Sequence, residues 1–312
     1  MTLTPPVPKG FRFPDIEEHL FRKLGPVLRA SFGEQVARIS LDGGYTCPNR
    51  DGTLASGGCT YCGEGSRALI PRAGSISRQF LESVSFRKER AFIAYFQSFS
   101  GTYAPLDVLQ RQWREARSLP GVVGLAISTR PDCLPKPVIR ELARLANELP
   151  LWIELGLESA DDATLRRINR AHDVNCFVEA AGQLADAGIP VVAHLIFGLP
   201  QEPDDAPQRA ISLINGLPVW GLKIHPFHVV RGAPIARAWE RGKLSLKSRD
   251  WYVDQAADAL TRLRPDIVVH RITGSGAGPK HLAPDWAVQT KKLYSDIERR
   301  LRKRNLRQGA LI

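Results

Sequence analysis

Residues 121–159, GVVGLAISTRPDCLPKPVIRELARLANELPLWIELGLES, carry the pattern that decides the fold. Gly121 to Ser128 is a short apolar run closed by polar residues, which reads as a buried strand. Pro137 to Glu148 then places Val138, Leu142, Leu145 and Ala146 on one face at helical spacing. Leu151 to Leu157 returns to an apolar run. Strand, amphipathic helix and strand joined by short connections make a unit whose two strands lie parallel in one sheet.

The same alternation extends in both directions. Strands are expected at Val36 to Leu41, Ala91 to Gln97, Val191 to Phe197, Gly221 to His225 and Ile267 to His270. Helices are expected at Leu106 to Arg117, Asp162 to Asn169, Val174 to Ala187, near Pro207 to Asn215, and at Trp251 to Leu263. Asp173 is placed to cap the start of one helix, and Gly188 with Pro190 ends it. Helical spacing from Asp15 to Ala30 predicts a lead-in helix. Five or six such units suit a TIM-like partial (β/α)6 barrel better than a small open sheet. The expected division is an N-terminal extension at 1–40, a core at 41–275 and a basic extension at 276–312, all in one structural domain. Active sites of such barrels lie at the carboxyl ends of the strands.

The chain has 312 residues and is 43% hydrophobic, enough for a large core without disulfide staples. No apolar stretch approaches the length of a membrane span, and the N-terminus has no apolar core of the kind a signal peptide needs. A cytoplasmic location is expected, where clustered cysteines point to metal or catalysis rather than disulfides. The formal net charge of +11 favours a polyanionic partner, nucleic acid above all. Lys291 to Arg307 reads as a basic helix: a solvated face or a contact for RNA phosphates.

Residues 44–66, GYTCPNRDGTLASGGCTYCGEGS, place Cys59 and Cys62 in a tight turn and Cys47 eleven intervening residues upstream. The glycines at 57, 58, 63 and 65 let backbone wrap closely around a bound centre. Three thiolates leave two readings open. One is a structural zinc whose fourth ligand comes from Cys133, Cys176 or a histidine. The other is an iron–sulfur cluster with one open position for a substrate or cofactor.

The C-x₁₁-C-x-Y-C arrangement resembles the cluster loop of a subgroup of radical S-adenosylmethionine (SAM) enzymes, although C-x₃-C-x₂-C is the commoner spacing there. Ser128-Thr-Arg-Pro-Asp-Cys133, Glu154-Leu-Gly-Leu-Glu-Ser159, Asn169-Arg-Ala-His172 and His194-Leu-Ile-Phe-Gly-Leu-Pro200 resemble the radical SAM domain of the Elongator catalytic subunit. Still more similar is the bacterial radical SAM family typified by YhcC and YtqA. The resemblance runs from about Phe13 to about Arg304. It implies a barrel of the radical SAM type, a [4Fe–4S] cluster held by Cys47, Cys59 and Cys62, and S-adenosylmethionine on the open iron. It implies that Tyr61 and the stretch from Ile196 through Gly198 to Leu199 face the adenine. It implies that Gln97 and Ser98, after the first strand beyond the cluster loop, meet the methionine amino group, although the usual Gly-Gly-Glu signature is absent. Arg130 is a candidate for the cofactor carboxylate or a substrate anion, and Ser159 is assigned to the cofactor.

Strand alternation puts Glu154 and Glu158 on one face. Two carboxylates on an apolar strand are costly unless partnered, by cofactor, by substrate or by an arginine such as Arg130. Lys223 and His225 alternate inward on another strand; with Glu154 and Glu158 they are the candidate catalytic set. His228, His270 and Arg271 are further candidates for a substrate-facing polar group. The resemblance implies a transfer RNA substrate, modified at its wobble uridine by removal of carboxymethyl from a 5-carboxymethylaminomethyl side chain. It also implies an electron donor such as flavodoxin or ferredoxin. A small-metabolite radical enzyme and a zinc-stabilised nucleic-acid-binding protein are the alternatives.

Overall fold

The structure is a computed structural model that describes residues 4–15, 19–63, 74–274 and 278–312. Strands β1 (Val36–Leu41), β2 (Ala91–Phe96), β3 (Val122–Thr129), β4 (Leu151–Glu158), β5 (Val191–Phe197), β6 (Gly221–Pro226) and β8 (Val268–Arg271) form one sheet in that order. Every neighbouring pair is parallel. Seven strands joined by six crossovers curl into a half-barrel. The expected alternation and fold class are borne out, with one strand more than six units require.

Helices α2 (Ile76–Val84), α3 (Leu106–Arg117), α4 (Lys136–Glu148), α5 (Asp162–Arg167), α6 (Val174–Asp186), α7 (Ala206–Asn215) and α9 (Arg249–Arg262) lie in the crossovers. Leu151, Ile153, Leu155 and Leu157 of β4 face them and join the main core. Each such full burial contributes about 1.5–3 kcal/mol. The alternate residues Trp152, Glu154 and Gly156 turn inward. Trp152 joins Ile93, Val192, Trp220 and Val268 in a floor inside the barrel, closed from below by Leu24, Val27 and Leu28 of α1 (Leu24–Phe32). Phe11 meets Trp152 and Trp220 edge-on, with ring centroids 6.0 and 5.7 Å away. Lys23 bridges to Val269, so the lead-in segment also touches the last sheet strand.

Four expectations need correction. The lead-in helix begins at Leu24 rather than Asp15, with residues 16–18 outside the described set. A longer helix would put Pro26 in its interior, where the ring clashes with the preceding turn; from Leu24, Pro26 falls in the tolerated first turn. β2 ends at Phe96, which leaves Gln97 in the following loop. Helix α2, helix α8 (Ala236–Glu240) and the small antiparallel pair of β7 (Val229–Val230) with β9 (His281–Ala283) were not foreseen. The basic helix α10 (Thr290–Arg304) is a packed element as well as a solvated one. Leu293, Ile297 and Leu301 enter the main core. Arg300 and Arg304 pair with Asp254 and Asp258 of α9, and Arg299 with Asp296. Lys291, Lys292, Lys303 and Arg307 make no ion pair among the described residues.

Candidate active site

The loop after β1 folds back on itself through backbone bonds. The Cys47 carbonyl accepts from the Arg50 and Asp51 amides at 2.8 and 3.1 Å, and the Cys62 amide donates to the Cys59 carbonyl at 2.9 Å. The α5–α6 connection holds it from the side: Thr60 N–H donates to the Ile168 carbonyl, and the Asn169 amide donates to the carbonyls of Ser56 and Gly58. Cys47 and Cys59 are buried and Cys62 is half-buried. Cys59 Sγ accepts from Asn49 Nδ2 at 3.4 Å and from Arg170 Nη1 at 3.6 Å. Burial is the largest influence on the Cys47 and Cys62 thiols and raises both, and Cys59 raises them further. Arg130 and Arg170 pull Cys47 the other way, as Arg50 does Cys62. A bound metal cation would complete that reversal, because coordinated thiols ionise. Among the described residues, no three histidine, cysteine or acidic side chains close around a single ion. A cubane cluster instead spreads its thiolates over separate irons.

Arg170 organises this end of the barrel. Its Nη2 donates to the Gly156 carbonyl at 2.9 Å and lies 3.3 Å from Glu158 Oε1, while Nη1 reaches Cys59 and Tyr61. Glu158 therefore takes Arg170 as its partner and not Arg130. Glu158 has φ 70°, uncommon for a non-glycine residue, at a register shift that ends β4. Gly156 makes room for the pair: a Cβ there would lie 2.4 Å from Arg170 Nη2 and 2.6 Å from Glu158 Oε1. Gly156→Ala is expected to displace Arg170 and cost about 1–3 kcal/mol by overpacking. Urea unfolding checks the cost; an unchanged midpoint would show that the strand absorbs the methyl group.

Arg130 is committed to Asp132 through two bonds of 2.8 and 2.5 Å and to the Arg170 carbonyl at 2.9 Å. Its Nη1 has no hydrogen-bond partner among the described residues. The same is true of Asn49 Oδ1, Thr60 Oγ1, Ser98 Oγ, Arg170 Nε and His172 Nε2. All six atoms lie on the cysteine loop or on segments at the carboxyl ends of the strands. Buried polar groups are normally partnered, so these atoms are available to a polar ligand such as the amino and carboxylate groups of S-adenosylmethionine. Beside it, Tyr61, Ile196 and Leu199 pack in one apolar cluster with Phe227. Gly198 has φ 85°, which lets the backbone turn there.

Ser159 Oγ donates to Glu202 Oε1 at 2.5 Å. Burial raises the Glu202 carboxyl to about 7. A carboxyl with a raised folded pKa binds protons more tightly in the folded state. Its contribution is present below the ordinary glutamate range and is lost as pH rises towards 7. Glu202→Gln is expected to be more stable than wild type by about 1–3 kcal/mol at pH 8, with the gap closing near pH 4. Thermal melts across that range test the sign.

Deeper in the barrel, Glu154 is fully buried and collects donors from four other strands. Tyr95 Oη donates at 2.5 Å, His194 Nε2 lies at 3.0 Å, Arg38 Nη1 at 3.2 Å, and Lys223 Nζ is in direct contact. Trp152 Nε1 lies at 3.4 Å. Lys223 also donates to Tyr95 at 3.0 Å. Lys223 above all, with His194 and Arg38, holds the Glu154 carboxyl well below its usual range against the cost of burial. Burial brings the Lys223 ammonium down to about 7.

The sequence-predicted residues thus separate into two levels. Cys47, Cys59, Cys62, Tyr61, Ser98, Arg130, Glu158, Ser159, Ile196, Gly198 and Leu199 surround the barrel mouth, with Gln97 half-buried in the loop beside Ser98. Glu154 and Lys223 sit below them. His225 is half-buried, its ring 6.1 Å from His194, with no hydrogen bond among the described residues. His228 Nδ1 donates to the Pro226 carbonyl at 3.1 Å, and its ring lies 5.8 Å from that of His281. His270 belongs to the floor, its ring 4.8 Å from Trp220. Sequence reasoning missed Arg38, Asn49, Tyr95, Arg170 and Glu202. Arg38 and Tyr95 are the inward-alternating polar residues of their strands, a signal present in the sequence. Arg170 lies within a quoted motif but on a loop, where periodicity says nothing of direction.

A parallel half-barrel with a three-cysteine loop at the carboxyl end of its first strand defines an enzyme that builds its site around a cofactor at the barrel mouth. The chain matches the model of the Radical SAM superfamily over residues 46–214 and that of the Radical_SAM C-terminal domain over residues 219–303. It belongs to the radical SAM superfamily. YtqA of Bacillus subtilis (strain 168) is 40% identical over 301 residues, covering 94% of this chain and 92% of that protein. YhcC of Escherichia coli (strain K12) is 34% identical, covering 94% and 96%. Human Elongator complex protein 3 is 30% identical over 162 residues, 50% of this chain and 28% of that one. Among solved structures, archaeal Methanocaldococcus infernus Elp3 aligns with a TM-score of 0.62 at 18% identity, covering 88% of this chain and 64% of the other. The protein is a radical SAM enzyme related to Elp3, and its cofactors are a [4Fe–4S] cluster and S-adenosylmethionine. Such enzymes need a reductant. Among the described residues no helix is long and apolar enough to cross a membrane.

Proposed function

We propose that this enzyme modifies the wobble uridine of transfer RNA, removing carboxymethyl from a 5-carboxymethylaminomethyl side chain, with Cys47, Cys59 and Cys62 as the cluster ligands. When bound, the cluster and S-adenosylmethionine would supply the hydrogen-abstracting radical chemistry of the superfamily. The chain's own residues bind and shield. Asn49 and Arg170 donate towards Cys59 and steady the loop. Tyr61, Ile196, Gly198 and Leu199 form the adenine wall, and Ser159 meets the ribose side. Gln97, Ser98 and the free Nη1 of Arg130 receive the methionine end. Glu158 is held by Arg170 at the mouth, and Glu154, Lys223 and His225 lie beneath it on the inner face of the sheet.

The observation that carries the cofactor part of this reading is the set of unpartnered buried polar atoms on the cysteine loop and on segments at the carboxyl ends of the strands. The RNA substrate is supported by the +11 charge and by the relation to Elongator complex protein 3. Lys291, Lys292, Lys303 and Arg307 are the cations of the C-terminal stretch left to meet phosphates. The reading also takes residues 1–40 and 276–312 as extensions on a 41–275 core, a cytoplasmic location, and flavodoxin or ferredoxin as electron donor.

Anaerobic reconstitution with iron and sulfide, then dithionite and S-adenosylmethionine, tests it. Formation of 5′-deoxyadenosine that rises with tRNA carrying 5-carboxymethylaminomethyluridine, with loss of that nucleoside by mass spectrometry, is the expected result. Formation that no tRNA stimulates would move the substrate to a small metabolite.

A further inference from the structure

The two edge strands of the half-barrel, β1 and β8, do not pair with each other. Each carries one arginine on the inner face, Arg38 beside Glu154 and Arg271 opposite Lys223. Arg38 on β1 is already paired with Glu154. Arg271 on β8 is different: among the described residues its guanidinium makes no hydrogen bond or ion pair, and it remains half-buried.

Its position has a structural cause. Leu222 of β6 lies opposite Val269, but the next residue, Lys223, lies opposite Arg271, so His270 is an extra residue in β8. Such a bulge re-aims the side chain that follows it. It lets His270 reach the tryptophan floor while Arg271 shares the inner level of Lys223. Burial and Arg38 both push the Arg271 guanidinium below its usual range, and Tyr95 and Glu154 support its charge. Arg38 and Lys223 pair with Glu154, and Arg271 stands near them with no ion pair of its own among the described residues. An excess of buried positive charge is costly unless an anion offsets it.

We infer that Arg38 and Arg271 clamp a terminal carboxylate of the substrate across the open side of the half-barrel. A carboxylate fits because it is a monoanion that accepts paired N–H bonds from guanidinium groups. It is terminal because the Trp152 and Trp220 floor closes the space beneath. A backbone phosphodiester continues on both sides, and the floor leaves no path for its second arm. The inference rests on the proposed substrate reading, since a carboxymethyl side chain supplies such a group.

The test is calorimetric binding to the reconstituted enzyme of the nucleoside 5-carboxymethylaminomethyluridine and of its methyl ester, with inorganic phosphate as competitor. Charge-assisted hydrogen bonds predict that wild type prefers the acid by roughly 10- to 100-fold. That preference is expected to collapse in Arg271→Gln and to return in part in Arg271→Lys. Because Arg271 makes no hydrogen bond or ion pair among the described residues, Arg271→Gln should melt no lower than wild type. Four outcomes would overturn the clamp: equal binding of acid and ester, a preference that survives Arg271→Gln, no binding of the acid at millimolar concentration, or displacement by phosphate as effective as by the acid. A melting temperature for Arg271→Gln lower by more than about 4 °C would mark the residue as structural and overturn it too. An acid preference in wild type that depends on Arg271, together with no change in any tRNA nucleoside, would sink the tRNA reading and leave the clamp standing.

Discussion

Cys59→Ala is expected to lower 5′-deoxyadenosine formation by more than about 10³-fold, equivalent to over 4 kcal/mol of barrier. Cys59 is the buried cysteine of the C-x-x-C turn, and its sulfur is the one that Asn49 and Arg170 both donate to. Alanine removes the sulfur and strands those donors. The effect is therefore expected in two readouts: absorbance near 400 nm after reconstitution, and product. Cys133 and Cys176 supply the comparison. They line a cavity of about 740 Å³ with Thr46, Thr102, Leu134 and Glu179, which reaches the cysteine loop at Thr46 but is not lined by Cys47, Cys59 or Cys62. Burial raises their thiols to about 12 and about 11, which keeps them protonated. Cys133→Ser and Cys176→Ser should retain both absorbance and product. Loss of the cluster in either serine variant, with retention in Cys59→Ala, would reverse the assignment.

The second large effect concerns stability. Glu154→Ala should destabilise the fold by about 3–5 kcal/mol, because it leaves Lys223, Arg38 and their partners buried without a counter-charge. The partners arrive from β1, β2, β5 and β6, so the loss is felt across the whole inner face of the sheet. Replacing both members, as in Glu154→Leu with Lys223→Met, should recover part of the loss, since no charge is then left alone. The sign with pH follows from the depressed carboxyl. Glu154 contributes stability above the ordinary glutamate range, and the contribution is lost as pH falls through its folded-state pKa. The gap between wild type and Glu154→Ala should therefore narrow on acidification below about pH 4. Urea midpoints at pH 7 and pH 3.5 measure it; a gap that widens in acid would show that the carboxyl is protonated in the folded protein.

Apolar periodicity was enough to lay out the barrel. All seven sheet strands are legible as short apolar runs, because a parallel strand covered on both faces must be apolar for most of its length. The helix over 137–148 was legible because Val138, Leu142 and Leu145 recur at helical spacing and bury one face. What escaped was structure that depends on distant contacts. Helix α2 is nine residues long and buries Ile76, Gln79 and Phe80, with Phe80 edge-on to Phe92 of β2. The strands β7 and β9 are two and three residues long and pair across about fifty residues of chain.

At the site the division is similar. The cysteine loop was legible because its spacing is local, and inward alternation placed Glu154, Lys223 and His225 on the concave face. Which cation each carboxylate meets was not legible. Arg130 was the expected partner for Glu154 or Glu158, yet Asp132 occupies it two residues away, while Arg170 turns in from a loop to take Glu158. Glu154 draws its partners from positions 38, 95, 194 and 223, brought together only by curling of the sheet. The bulge that turns Arg271 inward depends on register against β6, and register is a property of two strands. The sequence by itself determined the order of strands and helices, the inner and outer faces and the cysteine loop, because each follows from period and spacing along one segment. Only the tertiary structure decided the ion pairs, the unpartnered polar atoms and the direction of Arg170 and Arg271, because those are set by contacts between segments far apart in the chain.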